Sequence, residues 1–71
     1  MQNDKQRFQE HLVNLQSMIE SLEKEAIALE SITNTSDRLE RSTSIKRECV
    51  LILRESEKLE ALAKLISLRG E

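Results

Sequence analysis

Apolar residues recur along the first half of the chain at Phe8, Leu12, Leu15, Ile19, Leu22, Ala26 and Leu29, spaced 4, 3, 4, 3, 4, 3. That alternation averages the 3.5-residue repeat of helices packed along a coiled-coil-like seam. It predicts one amphipathic helix over about residues 3–32, capped by Asn3 or Asp4, with Gln6 three residues after Asn3 as in a capping box. The stripe stops at Thr33-Asn34-Thr35-Ser36, four short polar residues that compete for backbone hydrogen bonds and favour a turn. A second stripe runs Ile45, Cys49, Ile52, Ser56, Leu59, Ala63, Ile66 at the same spacing. It predicts a helix over about 37–69, with Asp37 as N-cap, Glu40 at the third helical position and Gly70 just past the end. Arg41-Ser42-Thr43-Ser44 is a weak helix former, which leaves a start at Asp37 and a restart at Ser44 both open. Two helices joined by about four residues lie antiparallel. The pattern describes an all-α fold, a single antiparallel two-helix hairpin spanning residues 1–71.

Charge adds a register. Residues 1–32 carry Lys5, Arg7 and Lys24 against six acids, net −3, and residues 33–71 carry eight bases against seven acids, net +1. Folding about the turn is expected to bring Glu30 to Arg38, Glu23 to Lys46 and Arg47, Glu10 to Lys58, and Asp4 to Lys64. Exposed pairs of this kind contribute about 0–1 kcal/mol each, so they select an alignment more than they stabilise it.

The second helix is apolar beyond what one neighbour needs. Val50, Leu51 and Leu53 fall off the Cys49/Ile52 seam, and Leu62, Leu65 and Leu68 extend the helix onto a second face. A helix apolar on several sides is covered on several sides. Val50, Leu51, Leu53, Leu62, Leu65 and Leu68 are therefore the candidate partner-binding residues. Size points the same way. A chain of 71 residues builds only a thin core, and folds below about 70–80 residues are usually stapled by a disulfide, a metal or a partner chain. One cysteine, Cys49, and one histidine, His11, provide neither an internal disulfide nor a His/Cys metal cluster. A partner chain remains, either a different protein or a second copy in a homodimeric four-helix bundle.

Other classes recede on composition. A net charge of −2 and a single aromatic residue, Phe8, give no basic surface and no stacking platform for nucleic acid. The longest apolar run, Cys49–Leu53, falls far short of the roughly 20 residues that cross a bilayer, so no membrane insertion is expected. The opening residues show no apolar stretch behind a basic end, and a lone cysteine suits a reducing compartment; the expected location is cytoplasmic. No HExxH, GxSxG or glycine-rich phosphate loop occurs, so no catalytic residue, metal or cofactor is assigned. His11 reads as a partly exposed flanking residue, and Cys49 as a small core hydrophobe on the seam.

The stretch Arg54-Glu55-Ser56-Glu57-Lys58-Leu59-Glu60-Ala61-Leu62-Ala63-Lys64-Leu65-Ile66, closing the second helix of a short acidic two-helix chain, resembles the YscE/PscE-type co-chaperones of type III secretion. At residue level the likeness covers Arg54–Ile66; in length and architecture it covers the whole chain. This chain departs from that pattern in having no glycine in its turn and no aromatic residue in its second helix. The resemblance implies one half of a chaperone pair, in which the hairpin binds a helical-repeat co-chaperone. The pair then keeps a needle-forming subunit monomeric. Ser56-x-x-Leu59-Glu60-x-Leu62 also resembles the SxxLDxLI signature of a small phosphatase family, but Glu60 and Ala63 replace its Asp and Ile, and no enzyme is expected.

Overall fold

A computed structural model describes residues 3–70, and they form two helices, α1 (Asp4–Glu30) and α2 (Thr35–Arg69). The helices run antiparallel as a rod of 53 × 17 × 14 Å, with Asp4 at the start of α1 paired to Arg69 at the end of α2. The all-α hairpin is thus the observed fold.

Each helix end has a local cause. Asn3 caps α1, its side chain accepting the Gln6 N–H at 2.7 Å, which is the first half of the expected capping box. α1 stops at Glu30 rather than near residue 32, and the Ser31 hydroxyl and N–H both turn back to the Ala28 carbonyl. α2 starts at Thr35, not at Asp37 or Ser44. Asn34 outcompetes Asp37 as its cap, accepting from the Ser36 and Asp37 N–H groups at 2.8 and 3.2 Å. The Arg41–Ser44 segment stays helical, and the Thr43 hydroxyl donates to the Leu39 carbonyl one turn back. Gly70 closes α2 at φ +73°, the left-handed region where glycine carries no Cβ penalty.

The helices differ in length, 27 residues against 35, or about 12 Å at 1.5 Å per residue. With Asp4 and Arg69 together at one pole, the difference falls at the turn. There residues 31–34 climb along the first turns of α2: Ile32 shares a groove with Asp37, Glu40, Arg41 and Ser44, and its carbonyl accepts from the Arg38 guanidinium at 2.9 Å.

The helices face each other through a stripe that keeps most of the expected positions and is rotated at the rest. Phe8, Leu15, Leu22 and Leu29 on α1 and Ile45, Ile52, Leu59 and Ile66 on α2 are half-buried, as the repeat predicts. Between them the seam takes Met18 and Glu25 in place of Ile19 and Ala26, and Glu48 and Leu62 in place of Cys49 and Ala63, while Leu12 stays half-buried beside His11 and Ser56 half-buried beside the deeper Glu55. Cys49, Ala26 and Ala63 are exposed, which corrects the expected core placement of Cys49. A 3.5-residue repeat can be completed three or four residues after each shared position. At one layer Leu62 removes more apolar area from water than Ala63 could, whereas at others the charged Glu25 and Glu48 take the seam beside Ala26 and Cys49. Leu62, at 5% exposure, is the one buried hydrophobic residue among those described.

Candidate functional site

The rotated seam brings charged groups between the helices, and three layers follow. At the open pole Asp4 is buried and paired with Arg69, while Arg7 approaches its other oxygen at 3.7 Å. Further in, His11 Nδ1 lies 2.5 Å from Glu55 Oε1, and Lys58 lies 3.6 Å from Glu55 Oε2. The hydrogen bond from His11 holds the Glu55 carboxyl below the usual carboxylate range, against the opposing effect of burial. His11 is therefore partly exposed, as its sequence context suggests, and it is also a cross-helix partner of Glu55.

Glu25 and Glu48 form the third layer. Each has one carboxyl oxygen shielded from solvent with no hydrogen-bond partner. Desolvation first, then the charge of Glu25 and a hydrogen bond with it, push the Glu48 carboxyl up. One of the expected cross-helix charge matches is replaced: Asp4 takes Arg69 rather than Lys64, and Lys64 pairs along its own helix with Glu60 at 3.7 Å.

Beside this seam, on the flank that Leu51 and Leu65 share, two shallow grooves open. One is lined by Ser17, Met18, Ser21, Glu48 and Leu51, the other by Arg7, His11, Lys58, Ala61, Leu62 and Leu65. Leu51 and Leu65 are 14 residues apart, so they sit on one face of α2 four turns from each other. No family model, no curated protein and no solved structure matches this chain. The site is read from its own geometry.

That geometry divides the six candidate partner-binding residues. Leu51 (49% exposed), Leu65 (40%) and Leu68 (83%) lie open toward the groove flank. Leu62 does not belong to the open surface, because it fills the seam and forms only the floor of the second groove. Val50 lies on the back of α2, and Leu53 turns toward the opposite flank; both are exposed. The groove also draws on Arg7, His11, Ser17, Met18 and Ser21 of α1, which a reading confined to α2 missed. Their signal was available in the pairing of a hairpin, where the residues beside Leu51 and Leu65 come from the neighbouring helix.

Among the described residues, no group of three or more His, Cys, Asp or Glu side chains is placed to hold a metal ion. No helix among them is long and apolar enough to cross a membrane. Shallow, partly apolar grooves along a rod suit a helix laid alongside better than an enclosed small ligand.

Proposed function

We propose that the protein is a binding subunit that receives an amphipathic helix of another protein along the Leu51–Leu65 flank. Following the resemblance at Arg54–Ile66, it acts as a type III secretion co-chaperone. Its partner is a helical-repeat co-chaperone, and the pair keeps the needle-forming subunit from polymerising. The observation that carries the reading is that Leu51, Leu65 and Leu68 stand open beside grooves floored by Met18 and Leu62. Their spacing, 14 and 3 residues, matches anchors for a helix lying parallel to the rod.

Co-expression with a helical-repeat protein and a small needle-like protein encoded beside it tests the proposal. Leu51→Glu and Leu65→Glu should remain helical by circular dichroism and lose the partner in pull-down, since buried anchors commonly carry about 2 kcal/mol or more each. Leu22→Glu, which places a charge in the seam, should lose helicity itself. Full partner capture by both flank variants would remove the proposal's support.

A further inference from the structure

The rotation of the seam leaves much of the expected apolar stripe uncovered. Leu12, Ile19 and Ala26 on α1 and Cys49, Ser56 and Ala63 on α2 repeat every seven residues, one step round each helix from the seam. In an antiparallel pair these two rows lie side by side on one flank, opposite the flank that carries Leu51 and Leu65. Ile19 is 46% exposed, Ala26, Cys49 and Ala63 are exposed as well, and Leu12 and Ser56 are half-buried. All six side chains are uncharged, whereas Lys58 interrupts the other flank between Leu51 and Leu65.

From this we infer that the stripe is a self-association surface, and that its occupant is a second copy of the same hairpin in a four-helix bundle. The inference does not rest on the co-chaperone reading. Three observations select a second copy. The stripe is self-complementary: α1 offers the bulky Leu12 and Ile19, and α2 offers the small Cys49, Ser56 and Ala63. A two-fold axis sets α1 of each copy over α2 of the other, so large side chains meet hollows twice. An uncharged stripe also meets its own copy without like-charge contact. Finally, the area fits. The hairpin exposes 5643 Å² at a mass of 8.2 kDa, whereas a compact monomer of that mass exposes about 4,500 Å². The excess, on the order of 1,100 Å², covers the roughly 800 Å² per copy that a standard stable interface buries.

Sedimentation equilibrium of the full chain decides the matter. The wild type should run at twice the 8.2 kDa of one chain. Ile19→Glu should halve that mass, and so should Ala63→Leu, which fills a hollow without adding charge. Leu65→Glu, on the opposite flank, should leave it doubled. A wild type that stays at single-chain mass throughout the micromolar range would overturn the inference, and so would dissociation by Leu65→Glu but not by Ile19→Glu.

A second measurement needs no stripe variant to fold. Cys49 is exposed in the single hairpin and covered in the bundle. Its labelling by a bulky maleimide in the unmodified chain should slow several-fold as chain concentration rises. Labelling at a constant rate across that range would contradict the bundle. Because Leu65→Glu removes the proposed partner and Ile19→Glu removes the second copy, either proposal can fail while the other stands.

Discussion

Two carboxylates in the seam respond to pH with opposite signs. Glu55 titrates below its ordinary value of 4.5 because His11 donates to it. The folded chain therefore gives up that proton where the unfolded chain still holds it. The stabilisation from Glu55 is complete above about 4.5 and is lost as pH falls through the lowered folded value. Glu48 titrates above 4.5, so its penalty is absent in acid, sets in between 4.5 and the raised value, and is complete at neutral pH. Replacing one carboxyl of the Glu25–Glu48 layer should relieve that penalty. Glu48→Gln is expected to raise the melting temperature at pH 7 and to flatten the curve above pH 4.5. Glu55→Gln should lower the pH 7 value and remove the loss on acidification. Melts followed by circular dichroism from acid to neutral pH separate the two. Leu62 gives the third residue-scale expectation: Leu62→Ala should cost about 2–5 kcal/mol, a large share of what so small a fold possesses, and urea unfolding would register it.

The ends and the facing of the helices show how legible each element was. Asn3, Gly70, the two-helix order and the polar turn were all readable, because each depends on a residue and its near neighbours along the chain. The start of α2 was misplaced by two residues because Asn34 and Asp37 are both good caps, and only the backbone path shows which one accepts. Asn34→Ala should therefore cost about 0.5–2 kcal/mol, visible as a lower thermal midpoint, with Asp37→Ala costing less. The facing was harder to read. Phe8, Leu15, Ile52 and Leu59 were fixed by the repeat, but His11 and Glu55 each look surface-bound alone and become tolerable in the seam only as a pair 2.5 Å apart. A pattern that scores residues singly cannot find a polar residue whose partner lies 44 positions away. The same limit hides the burial of Leu62 and the place of Met18 beside the groove, because both depend on which face α1 presents to α2.

At the scale of the whole molecule, two flanks with different characters run along one rod. A rod with a single buried hydrophobic residue among those described has little core of its own. Its melting temperature is accordingly expected to climb with chain concentration, because association draws on the folded state by mass action. Melts over a hundredfold dilution series check this, and a constant midpoint would speak for a self-sufficient hairpin. Adding the partner at fixed chain concentration should raise the midpoint again, by a separate increment that Leu65→Glu abolishes and Ile19→Glu spares.

Asp4 and Arg69 pair at one pole, so the start of α1 and the end of α2 leave the rod side by side. Tension applied between those ends acts across the helices and loads one layer at a time. The hairpin then opens like a zipper, with the Asp4–Arg69 clasp first, the His11–Glu55 bridge next, and little resistance once the repelling Glu25–Glu48 layer is reached. Anchored instead at the turn and at one end, the same contacts are sheared together and share the load. The hairpin is therefore expected to open at lower force when drawn out by its two ends than when loaded along its length.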